Sequence, residues 1–177
     1  MQLNEAALAP SKSMATVQYS ELANSQDKSA NTTLTINLIK VSLATTLLIG
    51  GTLALLPDSL YTFIFGEDTV GIQPLIRALL PGMLAMSMSS ILAHHFSGTG
   101  RYHINTIGAV AALVTLITLG YSIIPESGIL GAAKCLSATF CLQMFVLLSF
   151  FLIQDKPSAN ELLRPTISLD EFRKFRK

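Results

Sequence analysis

Lys134 and Arg77 are the residues of this sequence that most invite a chemical reading, because each interrupts a long apolar stretch. Lys134 follows Gly131-Ala132-Ala133, and Arg77 lies shortly before Pro81-Gly82. A charge in hydrocarbon is costly unless it is paired or hydrated, so each cation marks either a polar cavity or a route to the surface. A guanidinium forks onto phosphate or carboxylate oxygens, whereas an ammonium is a mobile point charge. Both suit contact with an anionic headgroup. The plainer alternatives are that Lys134 snorkels to the lipid headgroups, and that Arg77 pairs with Glu67, Asp68 or a lipid phosphate. Lys40 reads as an interfacial anchor.

Three histidines come next. His94 and His95 are adjacent, which on a helix turns their rings about 100° apart, and His103 follows a glycine-rich break. No carboxylate or thiol stands beside them in sequence to complete a metal site, so all three read as interfacial anchors. His94 also closes a stripe of Met83, Ser87 and Ser90 at helical spacing, a candidate lining for a hydrated path. Gly98-Thr99-Gly100 follows an apolar helix rather than a strand, so it reads as a tight turn and not as a nucleotide loop. The sequence offers no nucleophile–base pair, paired carboxylates or cluster of metal ligands. No enzymatic activity, metal or cofactor is expected.

The elements that must position these residues are apolar helices. Half of the 177 residues are hydrophobic and only 13% are charged, with a mean hydropathy of +0.52; a soluble domain carries about a quarter charged residues. The net charge of +1 argues against a nucleic-acid partner. Four apolar runs, about Leu34–Leu56, Pro74–Phe96, His103–Ile124 and Gly128–Ile153, each approach the roughly 20 residues that a membrane-crossing helix needs. Lipid offers the backbone no partners, so helices are the consistent choice. The breaks fall at Pro57–Gln73, at Ser97–Gly100 and at Pro125–Gly128. Aromatics within Leu60–Phe65 suit the membrane–water interface, and Pro81 predicts a kink that, with Gly82, makes a hinge in the second run. The expected fold is an all-α membrane protein with four transmembrane helices. Its parts are a polar cytoplasmic segment (1–32), a four-helix domain (33–153) and a cytoplasmic tail (154–177).

Lys12, Lys28 and Lys40 lie before or near the start of the first run, Arg101 lies between the second and third, and Lys156, Arg164, Arg173, Lys174, Arg176 and Lys177 follow the fourth. The connections 58–73 and 125–127 hold acids and no Lys or Arg. The positive-inside rule then places both ends in the cytoplasm. Cys135 and Cys141 are roughly 9 Å apart along one helix, too far to bridge, and read as small apolar residues. In the tail, Asp155–Pro165 reads as a flexible linker. Ser168-Leu169-Asp170-Glu171 has the form of a capping box. Leu169, Phe172 and Phe175 share a face there, flanked by basic residues, so Ser168–Lys177 is expected to lie on the inner leaflet as an amphipathic helix.

Between Phe63 and Phe151 several pieces recur in a recognisable order: Phe65-Gly66, Leu79-Leu80-Pro81-Gly82, Gly98-Thr99-Gly100-Arg101, Ile124-Pro125 and Gly128-Ile129-Leu130-Gly131-Ala132-Ala133. That order and spacing resembles the C-terminal helices of bacterial polysaccharide and lipid-linked oligosaccharide flippases of the multidrug/oligosaccharidyl-lipid/polysaccharide exporter superfamily. The resemblance implies an inner-membrane component that moves an undecaprenyl-linked oligosaccharide by alternating access. Such transporters have a dozen or more helices, and Leu8–Glu21 looks like the end of a preceding helix. A truncated or split chain is therefore expected, with a second chain supplying the N-terminal helices. On this reading Arg77 and Lys134 bind substrate, Ser87, Ser90 and His94 line the cavity, and Pro81-Gly82 is the hinge. A cation-coupled multidrug exporter fragment is the first alternative, although no acid lies within a span to couple the ion. A non-transporting four-span scaffold is the second.

Overall fold

The computed structural model describes Gln18, Leu22, residues 27–66 and residues 71–157. Residues 27–66 and 71–157 hold four helices, α1 (Lys28–Leu55), α2 (Asp58–Phe65), α3 (Ile72–Gly98) and α4 (Tyr102–Gln154). Among the described residues there is no strand. The described residues are all-helical, and α1, α3 and α4 are each long and apolar enough to cross a membrane. The tail helix expected over Ser168–Lys177, Glu67 and Asp68, and most of the segment 1–32 lie outside the described residues.

α1 begins earlier than its apolar run suggests. The Asp27 carboxylate caps it, accepting the N–H groups of Ser29 and Ala30 at 2.9 and 3.3 Å, donors that a helix start leaves without partners. The polar first turns are then buried against the bundle at Asn31, Thr32 and Thr35. α1 stops where Pro57 drives Leu56 into extended geometry. The connection that follows holds a two-turn helix, α2, ended by Gly66 at φ +91°.

α4 has 53 residues. A straight helix of that length would run about 80 Å, more than twice the thickness of bilayer hydrocarbon. It does not run straight. At Gly128 the backbone takes φ 55° and ψ −136°, a conformation that costs glycine little because it has no Cβ. Beyond it the chain folds back, so that the Cys135 thiol points at the Leu116 carbonyl oxygen at 3.7 Å. Farther along, a Cβ on Gly108 would touch Leu147 at 3.2 Å. Where sequence predicts a loop over Pro125–Gly128, Pro125, Glu126 and Ser127 stay helical and the reversal is concentrated at one residue. Gly131 lets the limbs converge at once, since a Cβ there would lie 2.9 Å from the Ile123 carbonyl oxygen.

α3 packs between α1 and α4. Ile36, Leu38 and Ile39 of α1, Ile91, Leu92 and Phe96 of α3, and Ile104, Leu147 and Phe151 of α4 form one buried cluster. A smaller one, Ala54, Tyr61 and Ile76, gathers where α2 meets α1 and α3. The outward faces are apolar, with Leu47, Leu48, Ile107, Val114, Ile117 and Phe145 all exposed. Hydroxyls on those faces donate to their own helices: Thr52 to Leu48 O, Thr118 to Val114 O, Ser122 to Thr118 O and Ser149 to Phe145 O. Groups bonded in this way need no water, which is the condition lipid imposes.

Candidate functional site

The densest polar cluster among the described residues centres on His95. The end of α3 builds it. The amide of Gly100 bonds to Ser97 O at 3.1 Å and that of Arg101 to Phe96 O at 2.7 Å, with Gly100 at φ +76°. This pattern closes a helix C-terminus with a left-handed glycine. It turns Arg101 back over the helix end, where its guanidinium lies 5.2 Å from the centre of the Phe96 ring. Sequence reads Gly98-Thr99-Gly100 as a tight turn, and so it is; its consequence is the placement of Arg101.

Arg101 precedes α4 and Asp155 follows it, yet Arg101 Nη2 donates to Asp155 Oδ1 at 2.9 Å. The return of α4 at Gly128 is what brings them together. Arg101 Nη1 donates to Gln154 Oε1 at 2.9 Å, and Arg101 Nε donates to Thr99 Oγ1 at 3.0 Å. His95, only 1% exposed, sits behind this pair with Nε2 at 3.2 Å from Asp155 Oδ2 and 3.1 Å from Arg101 Nη2. Its Nδ1 lies 2.8 Å from Thr35 Oγ1 of α1, and that hydroxyl in turn accepts from Gln18 Nε2 at 2.9 Å. The Phe96 and Phe151 rings stand nearly perpendicular to the imidazole, with centroids 5.5 and 5.1 Å from its own.

The network constrains the imidazole proton. A neutral ring with its proton on Nε2 donates to the Asp155 carboxylate and leaves Nδ1 to accept from Thr35. The Thr35 hydroxyl has one proton and two acceptors at 2.8 Å, Nδ1 and the Asn31 carbonyl oxygen. Burial pushes the Asp155 carboxyl up, but hydrogen bonds from His95 and Arg101, with the guanidinium charge, outweigh it and hold that carboxyl below its ordinary range. Here two sequence readings are corrected. His95 is no interfacial anchor, because Thr35 and Asp155, each sixty positions away, give its nitrogens partners inside the bundle. Asp155 is not part of a free linker, because it caps α4 and pairs with Arg101.

No family model, curated protein or solved structure matches this chain.

A second feature runs away from this cluster. Along α1, Thr35, Ser42, Thr46, Gly50 and Ala54 recur at helical spacing and are all buried. The stripe faces α3 along its length, since Thr35 meets His95 at one end and Gly50 lies against Leu80 and Met83 near the other. Thr35, Ser42 and Thr46 are fully enclosed, as is Ser87 on α3. The seam between α1 and α3 is thus lined by small hydroxyl-bearing side chains inside an apolar exterior.

Of the residues singled out from sequence, Met83 and Ser87 are buried, and Ser90 and His94 are half-buried. The Ser87 hydroxyl donates to Leu84 O, and the His94 Nδ1 lies 2.8 Å from Ser90 O, so both satisfy themselves within α3. His103 is exposed. Arg77 is exposed at its helix surface and donates Nε to the Ala54 carbonyl oxygen at 3.1 Å. Lys134 is exposed on the return limb of α4. Ser137 Oγ donates to Ala78 O, and the Cys141 thiol faces Pro81 O at 4.0 Å. This parallel register brings Arg77 and Lys134 within about one helical turn of the same depth. Gly82 touches the neighbouring backbone, as a Cβ there would lie 2.7 Å from Ser137 Cα.

Proposed function

We propose that this chain crosses the bilayer four times, as a component of a transporter that moves a lipid-linked oligosaccharide or polysaccharide across a bacterial inner membrane. Both ends lie in the cytoplasm. The four crossings are α1, α3 and the two limbs of α4, each limb being close to a bilayer in length. The meeting of Arg101 with Asp155 supports the doubling of α4, because a single straight crossing would part them by the whole helix. The Lys and Arg distribution supports the orientation, since Arg101 and Lys156 share one end.

The observation that carries the transport reading is the hydroxyl-lined seam. In lipid a helix pair gains nothing by burying polar groups unless they bond, pack closely or meet a polar cargo. The hydroxyls of that seam already bond within the bundle, Thr35 to Asn31 O and Ser87 to Leu84 O among them, and keep lone pairs that accept from such a cargo once the helices part. Arg77 and Lys134, at similar depth, supply positive charge for an anionic headgroup near the opposite end from Arg101. The residue order from Phe65-Gly66 to Ala133 is in keeping with the flippase resemblance, and a second chain would complete the translocation path.

A cation-coupled drug exporter is the second reading, and one observation favours it. The Asp155 carboxylate, absent from every span, meets a buried histidine at the end of one.

Reconstituted vesicles holding this chain, alone and with any chain encoded upstream, test both. Flipping of lipid-linked oligosaccharide that falls in the Arg77→Ala, Lys134→Ala double variant, with insertion unchanged, agrees with the first reading. Unchanged flipping in that variant removes both cations from the substrate site. Drug efflux without any flipping selects the second reading.

A further inference from the structure

α2 connects the end of α1 to the start of α3, and it is held in one orientation by bonds from both. Tyr61 is buried, and its hydroxyl donates to the Leu53 carbonyl oxygen of α1. The Asp58 carboxylate accepts the Gln73 backbone N–H at 3.0 Å, and Gln73 Nε2 donates to Leu56 O at 2.8 Å. The first two bonds tie α2 to the ends of both long helices, and the third joins those ends to each other. The face left outward is apolar, with Phe63 88% exposed and Leu60, Ile64 and Phe65 also exposed. Leu60, Phe63 and Ile64 stand three and four positions apart, so they form one side of the helix, with Tyr61 turned to the other.

We infer that α2 is an interfacial helix whose Leu60, Phe63 and Ile64 side chains enter the boundary between headgroups and acyl chains of the bilayer. The inference rests on the membrane-crossing reading of α1 and α3. Given that reading, the position of α2 follows from connectivity: it directly joins the ends of two crossing helices, so it lies at the membrane surface. The occupant of its apolar face follows from continuity, because Leu55, Leu48 and Leu47 extend the exposed apolar surface from α2 down α1. A polar bonding face toward the bundle and an aromatic face away from it is the amphipathic division an interfacial helix requires. The result is a fixed wedge in the leaflet opposite the Arg101–Asp155 end.

The sequence contains no tryptophan, so one introduced at a chosen place is an unambiguous reporter. The test uses the full chain in vesicles of phosphatidylcholine and phosphatidylglycerol with bromines at shallow or deep acyl positions. Phe63→Trp reports α2, and Leu48→Trp, on the exposed face of α1, reports the crossing itself. The expected result is deep-bromine quenching for Leu48→Trp, and shallow-bromine quenching with weak sensitivity to aqueous iodide for Phe63→Trp. Phe63→Trp quenched by iodide and untouched by bromine, while Leu48→Trp stays in lipid, overturns the α2 inference and leaves the crossing reading standing. Deep quenching of Phe63→Trp overturns its interfacial depth. If neither variant responds to bromine, the inference falls together with the crossing reading on which it rests.

Discussion

At the Arg101 end of the bundle the helices are joined through side chains that carry charge. Toward Gly128, α3 and the two limbs of α4 are joined through backbone and small residues. The first end ties α1, the α3–α4 connection and the close of α4 through Thr35, His95, Arg101 and Asp155. The second uses the Gly128 reversal, the close approach of Gly131 to Ile123, and the contact of Gly82 with Ser137. The contrast suits their surroundings. On the proposed topology the Arg101 end lies at the aqueous surface, where an ion pair with Arg101 23% and Asp155 10% exposed can be kept. On the same topology the Gly82–Ser137 contact lies within hydrocarbon and relies on packing and local hydrogen bonds, because unpaired charge there is costly.

Breaking the charged end should have the larger effect. Asp155→Ala leaves Arg101 and His95 without their shared acceptor, and is expected to cost about 2–4 kcal/mol, the upper part of that range being reduced by the partial exposure of Arg101. Thermal unfolding in detergent measures it. The same contact predicts an acid dependence. The folded-state carboxyl of Asp155 is held below its ordinary range, so its contribution is complete above that range. It is lost as pH falls through the depressed folded value. Asp155→Asn should flatten this acid limb, and an unchanged limb would assign it to other carboxylates.

The packed end is probed by Gly82→Ala. The new methyl would meet the Ser137 backbone rather than a flexible side chain, so a whole helix must shift, at roughly 1–3 kcal/mol. Ser137→Ala removes one interhelical hydrogen bond to Ala78 O and should cost about 1 kcal/mol. If Ser137→Ala proves as damaging as Asp155→Ala, the contrast between the two ends fails.

How far these ends can be read from sequence differs for the same physical reason. Apolar runs are local signals, so the helices and the breaks at Pro57, Gly100 and Gly128 are legible. The reversal at Gly128 is legible as a break, while its economy, one residue with no loop, depends on Gly131 lying against Ile123. The charged end is hidden. Thr35 and Asp155 each stand sixty positions from His95, and no periodicity links them. His95 beside His94 looks like one of a pair of interfacial rings. Asp155, just past an apolar run and before Pro157, looks like the start of a linker. Arg77 and Lys134 were legible as cations in apolar runs. Their similar depth needed the parallel register of α3 with the return limb of α4, which Ser137 and Ala78 define.

The doubling of α4 is the central claim, and cysteine accessibility in intact cells tests it most directly. In a background of Cys135→Ala and Cys141→Ala, single cysteines replace His103, Ser127 and Lys156 in turn. A membrane-impermeant maleimide should label the Ser127→Cys variant from outside. It should reach the His103→Cys and Lys156→Cys variants only after the membrane is opened, placing both ends of α4 on one side. Labelling of His103→Cys and Lys156→Cys from opposite sides would make α4 a single crossing and contradict the account.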